Sequence, residues 1–505
     1  MGGWSNAFLT AIKRNRQRPR YLLESWTPWP GGIGSSLALS SGRLVGKSTK
    51  EVIIDVSTTG SSVRLATWTS DIGGFSVRCI GARRGSWIDS AELGTFVRLL
   101  VGFEGWDHAN FVMVAWGMIY DVRADDDATI TIEVGGPLMA LQSRATTLTA
   151  SYGLFSAKNT TVVAGSAYSI GGGTIQVASR TGFGRDTTGT VDGLLKVTGD
   201  AGGQFYLRWT AVSTGDVFTV GTPQPALDTT DDDAAIGNAV AEIWFYEDHP
   251  MSAALATILS TGTALQNGIY DTLPAKWAFG IPEEYCDVAD AEAIRDNYTL
   301  VSGSDNWQIF TDVPQANGID WVQSWLSEGG YFLAMRQGLL TVRAWRDPEL
   351  TDPVATITDD DIASWEFAAR HPDYAEEYQT MSTTTPDDTE ATSSQSATRT
   401  LPSTQTVTTS ISHVRANDTA IMDGIQARLA PWYQAVPEWV RITCAGMRLA
   451  TLANGDVVEL TTQHLGRLRS TTPYSARKAT VQSVDPQWST WEVRVELAIL
   501  PLSSD

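Results

Sequence analysis

The chain has 505 residues, of which 57 are acidic and 36 basic, and a formal net charge of −21. Such a balance excludes a general grip on nucleic acid by the surface as a whole, because phosphate binding needs a concentrated positive patch. Cys79, Cys286 and Cys444 lie far apart with no CxxC, no apolar run reaches the roughly 18 residues that cross a bilayer, and the start lacks a secretory pattern, so neither a disulfide frame, membrane insertion nor conventional export is expected.

The length predicts roughly three or four domains of about 100 to 150 residues. Residues 1–20 carry the one basic cluster, Lys13, Arg14, Arg16, Arg18 and Arg20, which is either a solvated amino-terminal arm or a contact with an acidic neighbour. Residues 21–145 alternate apolar and polar positions in EVIIDVST, GGFSVRCIGA, TFVRLLVGF and ATITIEVGG, which predicts an antiparallel β-domain with one wet face. Asp125 to Asp127 mark a hairpin turn within it. Residues 146–243 are rich in Gly, Thr, Ser and Ala, with strands at TIQVAS, GLLKVTG and QFYLRWTAVS, and read as an inserted β-module. Its Tyr206, Trp209 and Phe218 are either core residues or aromatic faces for a sugar.

From 244 to 347 the pattern turns mixed. Asp248 is placed as an N-cap and Pro250 in the first turn, while Leu255, Ile258 and Leu259 give the apolar face of a short amphipathic helix that stops near Gly262. DVADAEAIRDNY and NGIDWVQSWLSEGG predict two more helices, the second with Ile319, Val322 and Leu326 on one face. YFLAMRQGLLTVRAW predicts a hairpin about Gln337 and Gly338. Residues 348–505 return to β, with Asn417 as the cap of a helix through Ile421, Ile425 and Leu429. The Thr/Ser-rich stretch 381–410 is too poor in apolar residues to build a core alone and is expected as an extended arm or a loop ordered by neighbours.

Four stretches, in order, carry a resemblance: TFVRLLVGFEGW with VAWGMIYDVRADDDATITIEVGGPLMAL, then DHPMSAALATILSTGTALQNGIYDTLP, then RQGLLTVRAW, then RLATLANGDVVELT with QSVDPQWSTWEVRVELAIL. They resemble the tail-hub, or baseplate hub, proteins of long-tailed bacteriophages, and TIQVASRTGFGRDTTGTVDGLLKVTG is similar to a small β-module of phage tail proteins. The resemblance implies a mainly β fold with a smaller α+β part: two tube-like antiparallel β-barrel domains (21–145 and 348–505) flanking an α/β hub domain (244–347), plus the β insertion. It implies a structural virion protein at the tail tip, made in the host cytoplasm. As a homotrimer it would join a hexameric tail tube to the receptor-binding apparatus and form part of the DNA ejection conduit. Its implied partners are tail-tube proteins, the end of the tape-measure protein and receptor-binding or fibre proteins, with genome DNA only as passing cargo.

Catalytic templates are empty. HExxH, GxxxxGK[ST] and GxSxG do not occur, and GGIGSS at 31–36 reads as a turn. His108, His249, His371, His413 and His464 never pair at ligand spacing, and His249 belongs to a helix start. Glu283 with Glu284, and Asp359 to Asp361, are neighbours on loops and not acids placed across a cleft. No catalytic, cofactor or metal residue is nominated and no cofactor is expected. A carbohydrate-binding adhesin or a surface-polymer hydrolase is the alternative.

Overall fold

The computed structural model describes residues 4–13, 18–26, 37–58, 60–64, 69–80, 91–125, 128–142, 159–161, 172–180, 183, 189–199, 204–221, 238–261, 270, 273, 278–297, 308–311, 318–367, 377–384, 389–396, 406–411, 419–434, 437–465 and 473–500. Helix α1 (Asn6–Ile12) comes first, capped by the Ser5 hydroxyl, which accepts from the Phe8 amide. Ten strands follow: β1 (Pro19–Ser25), β2 (Ala38–Ser40), β3 (Lys50–Glu51), β4 (Ile53–Thr58), β5 (Ser61–Arg64), β6 (Thr69–Ile72), β7 (Phe75–Ile80), β8 (Phe96–Phe103), β9 (Val112–Ala124) and β10 (Thr129–Gly135). Eight of them form a sheet in the order β3-β2-β1-β8-β9-β10-β7-β4.

The two end strands of that order are consecutive in the chain. Val52 lies between them, donates to the Ser40 carbonyl (2.9 Å) and accepts from the Ile80 amide (2.7 Å), so one segment touches both edges of the sheet. Strand twist is what lets a sheet curl this far. The strand ladders themselves form an open path, without the closed barrel that the resemblance implies.

The 146–243 segment contributes a sheet of its own. β11 (Asn159–Thr161), β12 (Thr174–Gln176), β13 (Gly189–Thr198), β14 (Gln204–Ser213), β15 (Val217–Val220) and β16 (Ala239–Glu247) run in the order β11-β16-β13-β14-β15-β12. Leu195, Phe205, Leu207, Trp209 and Phe218 fill its separate core. β16 crosses the expected boundary at 243: Val240 belongs to this core and Trp244 to the core of the next unit.

That next unit holds helices α2 (Pro250–Leu259), α3 (Val288–Asn297) and α4 (Gly318–Glu328), with β17 (Gln308–Thr311) on β16 and a hairpin of β18 (Tyr331–Arg336) and β19 (Leu339–Ala344). The hairpin turns at Gln337 and Gly338, both at positive φ (50° and 79°), as a two-residue turn with the twist of its strands requires. α2 differs from expectation. All ten of its residues are buried, so it is enclosed and not amphipathic, because small and apolar side chains at every position leave no face that needs water. Its N-cap is His249, one residue after Asp248, and Ser260 ends it before Gly262. Asp248 instead accepts from the His249 amide at 2.7 Å.

The last region comprises β20 (Ala355–Thr358), β21 (Ile362–Phe367), β22 (Glu377–Thr384), β23 (Thr389–Ser396), β24 (Thr406–Ile411), helix α5 (Thr419–Gln434), β25 (Glu438–Ala445), β26 (Val457–Thr461), β27 (Arg477–Gln487) and β28 (Glu492–Ile499). Its large sheet runs β20-β26-β27-β28-β25-β21, and the β5–β6 hairpin of the first domain joins it on β27. Again the end strands are consecutive, separated only by the 3-10 turn Asp359–Asp361. The Thr/Ser-rich stretch is not an extended arm in its described residues, which form a three-stranded sheet, β23-β22-β24. Backbone pairing needs no apolar side chain, and α5 lies against β22 and β23. Asn417 lies outside the described residues.

The two large sheets are one arrangement built twice. Starting from the later of the two consecutive end strands, the neighbours run β4-β7-β10-β9-β8 in the first and β21-β25-β28-β27-β26 in the second. Registers agree as well. Ile53 opposes Cys79, Ile362 opposes Cys444, and each ladder then skips one residue, Ile54 or Ala363. A second bulge leaves out Tyr120 in β9 and Gln482 in β27. Just before β8 and β26 stand Gly94 (φ 84°) and Gly455 (φ 82°), whose amides bond the carbonyls of Ile119 and Val481. Bulges re-aim a strand, so their recurrence at matching positions marks a repeated design.

Both sheets share a single core, and α1 is part of it. Phe8, Ala11 and Ile12 are buried, and the Trp4 ring lies 5.2 Å from Phe8 and 5.7 Å from Trp488. The described part of the expected amino-terminal arm is thus anchored by one buried face, while Ser5, Asn6, Ala7 and Thr10 are exposed. Lys13 and Arg18 are exposed, and Arg20 pairs with Glu104 at 2.7 Å. The α/β unit has a second core that extends onto Phe96 and Trp116 of the first sheet.

Candidate assembly interface

The first domain grips the second along β27. Ser61 and Ser62 of β5 pair with Val484 and Ser483, the Thr58 hydroxyl donates to the Pro486 carbonyl, and the Gln487 amide reaches the Thr58 carbonyl at 3.5 Å. Pro486 has no N–H to offer an outer strand, so its carbonyl carries that contact. Gly60 approaches so closely that a Cβ there would stand 2.3 Å from the Val484 carbonyl, which fixes glycine at this crossing. Ser61 also donates to Asn454, which is fully buried.

Equivalent positions away from this junction are open. Gln482 is 2% exposed and its counterpart Tyr120 is 48% exposed; Asn454 is buried and its counterpart Leu93 is 61% exposed. On the opposite side of the contact, Val56 is buried and its counterpart Trp365 is 43% exposed. Trp365 opposes Ile442 in the ladder and so stands on the core side of its sheet, with the Phe367 ring 5.3 Å away. β21, which carries Trp365, is an end strand of its sheet.

Between the α/β unit and the last region the contact is both aromatic, with the Trp345 and Trp432 rings 5.0 Å apart, and ionic. Arg343 on β19 is 3% exposed by side chain and meets Asp456 at 2.8 Å and Asp290 at 3.4 Å. Arg336 reaches Asp287 and Asp290, and Arg346 donates to the Gly455 carbonyl at 3.2 Å. Burial works against the Arg343 charge, yet Asp456 and Asp290 hold its pKa above the ordinary guanidinium value.

Candidate chemical groups resolve into structural ones. Trp209 and Phe218 are fully buried, 5.2 Å apart, in the module's core, and Tyr206 packs beside Leu194 and Ile243. Cys79, Cys286 and Cys444 are free and buried; burial pushes the Cys79 and Cys444 thiols up to about 12 and Cys286 higher still. Glu283 and Glu284 are exposed on a 3-10 turn. In the turn joining β20 to β21, Asp361 accepts from the Thr358 amide and from Arg448, and Asp359 accepts from the Gln463 amide. Asp125 meets Arg78, Arg123 and Thr131 where β9 turns into β10. Residues 31–36, Asp126 and Asp127 lie outside the described residues. Among the described residues no group of three His, Cys, Asp or Glu could hold a metal, and no helix is long and apolar enough to cross a membrane.

Among the described histidines, His249 is a buried helix cap. Its Nδ1 accepts from the Met251 amide at 3.1 Å, which puts the proton on Nε2, facing the Tyr331 hydroxyl at 3.0 Å. Burial, with Arg428 and Arg295 nearby, pushes its pKa down to about 3 from 6.5. The unfolded chain therefore takes up this proton first, so the contribution is complete above pH 6.5 and is lost as pH falls from 6.5 towards 3. Between pH 7 and 5 the loss is expected to be about 2 kcal/mol. Denaturant unfolding at both values should show it, and His249→Gln should flatten that dependence; equal slopes in both proteins would refute the assignment.

Among known proteins, residues 344–399 match the proteobacterial transcriptional regulator-like domain. Described residues of that stretch form strands and one 3-10 turn, and the stretch holds three arginines against thirteen carboxylates, a poor composition for gripping phosphates. No curated protein matches the chain. Solved structures similar to it over nearly its whole length include tail proteins, two of them from prophages, and a Francisella PdpA–VgrG complex that covers 99% of this chain and 61% of its own with 9% identity and a TM-score of 0.37. A tail protein from Neisseria meningitidis has 9% identity, covers 95% of this chain and 96% of its own, and has a TM-score of 0.40. The 43 kDa tail protein of prophage MuSo2 from Shewanella oneidensis has 8% identity, 95% and 98% coverage, and a TM-score of 0.40. Prophage tail protein gp18 from Listeria monocytogenes has 9% identity, 95% and 94% coverage, and a TM-score of 0.37.

Proposed function

We propose that this chain is a structural subunit of a phage tail tip: a baseplate hub that assembles as a homotrimer, docks on the hexameric end of the tail tube and carries the receptor-binding apparatus. The observation that carries this reading is the duplicated sheet. One chain holds two β-domains of the same strand order and register, so three copies place six alike domains about one axis, a ring that matches a sixfold partner. Head-to-tail contacts in such a ring close without leaving an open end.

On this reading the protein is not an enzyme and sits in the virion, having been made in the host cytoplasm. DNA passes through the ring as cargo, and the acidic balance of the chain keeps it sliding. The tube-like closure of each domain is supported by the consecutive end strands of both sheets. Tail-tube subunits, the end of the tape-measure protein and receptor-binding or fibre proteins are the proposed neighbours. The 146–243 module is a peripheral appendage. An adhesin built on its aromatic residues has little support, since Trp209 and Phe218 face inward.

Imaging of the particle tip tests the reading directly. Three copies per tip, showing six similar β-domains around the channel, are expected; one copy or six would end it.

A further inference from the structure

The in-chain junction has one half left over at each end of the molecule. The first domain offers β4 and β5, which are used on β27, and a β9 edge that corresponds to β27 but is free. The second domain offers β27, which is used, and a β21 that corresponds to β4 but is free. On the β8 side, β9 is bonded only as far as Ile119, which exchanges bonds with Gly94 and Thr95; Val481 does the same with Gly455 and Asp456. One bulge residue further on, β27 receives β5 at Ser483 and Val484. The matching residues of β9 are Asp121 and Val122, and among the described residues no strand lies on them from that side.

We propose that the second β-domain of one copy joins the first β-domain of the next copy by repeating the junction the chain makes internally. Trp365 and Phe367 of one copy then stand against Leu93, Tyr120 and the free Asp121–Val122 edge of the other. The occupant is a second copy of this chain because both halves of the contact belong to it, and because the exposed residue at each of three positions is matched by a buried one where the contact already exists. The contact is head-to-tail, one half per partner, so it forms rings and not isologous pairs.

This inference rests on the trimer reading, and the experiment separates the two. The purified full chain is measured by sedimentation velocity beside Trp365→Glu and Tyr120→Asp, with circular dichroism confirming that both variants fold. A wild-type trimer, monomeric variants and a dimer on mixing the two variants are expected, since each variant keeps the half that the other lost. A short bismaleimide should also link Phe367→Cys to Ala124→Cys between copies in the doubly substituted chain, the native thiols being buried. If wild type is a trimer but both variants remain trimers, or the mixture gives no dimer, this contact is wrong and the trimer stands. A wild-type protein that stays monomeric at every concentration overturns the trimer reading and this contact with it. Should one variant fail to fold, cross-linking alone decides: a covalent trimer supports the contact, and its absence in a trimeric protein rejects it.

Discussion

Replacing Arg343 by methionine is expected to destabilise the protein by about 3–5 kcal/mol, the range for removing one partner of a buried ionic cluster. Methionine keeps most of the side-chain volume, so the change isolates charge from packing. What remains is Asp456 and Asp290, 6% and 9% exposed by side chain, without their shared guanidinium. Because Arg343 lies on β19, Asp290 on α3 and Asp456 ahead of β26, the loss falls on the seam between the α/β unit and the second β-domain. Denaturant unfolding read by tryptophan fluorescence measures it. Adding Asp290→Asn and Asp456→Asn should recover part of the loss, since neutral amides do not need the missing cation. A loss below about 1 kcal/mol would place the cluster in solvent, where ion pairs contribute that little.

Phe8→Ala is expected to cost about 3–5 kcal/mol, as large-to-small changes of buried aromatic residues do. Phe8 is fully buried, with the Phe103 ring 5.6 Å away and the Trp488 ring 6.4 Å away. Those partners belong to different β-domains, so α1 acts as a wedge between the two sheets. The same substitution should therefore loosen the contact between the domains, and protease cleavage within residues 60–64, which include the strand on β27, should quicken. Unchanged stability in Phe8→Ala would mean that the segment is held elsewhere, as the arm its basic residues suggest.

Much of the fold was legible in residue order. The hairpin at Gln337 and Gly338 was readable because a two-residue turn with glycine, which accepts positive φ, is a favoured connection between such strands. Helix α4 was readable because Ile319, Val322 and Leu326 recur at helical spacing. Other features were not. Trp209 and Phe218 gave no sign of which way they point, since a strand shows its period but not which face meets a core. The enclosure of α2 was equally hidden: its small residues suit a half-buried helix or a fully buried one, and Trp244, Ile319 and Trp325, which help enclose it, come from other segments.

The duplication is the clearest case of what sequence leaves out. Gly94 and Gly455, Val97 and Val458, Leu99 and Leu460, and Cys79 and Cys444 occupy matching places, yet they are too few to announce a repeat. A strand's inner positions accept any apolar residue of suitable volume, so two copies can keep their hydrogen-bond register while exchanging nearly all their side chains. Local order determined the strands, the turns, the helices of the α/β unit and the acidic balance, because these follow from period, turn chemistry and charge within a few residues. Only the tertiary structure decided that the amino-terminal helix buries one face in the shared core, that β16 serves two units, and which of Val56 and Trp365, or Gln482 and Tyr120, is covered. Those outcomes depend on which distant segment arrives at a given surface, and that is a property of the whole packed chain.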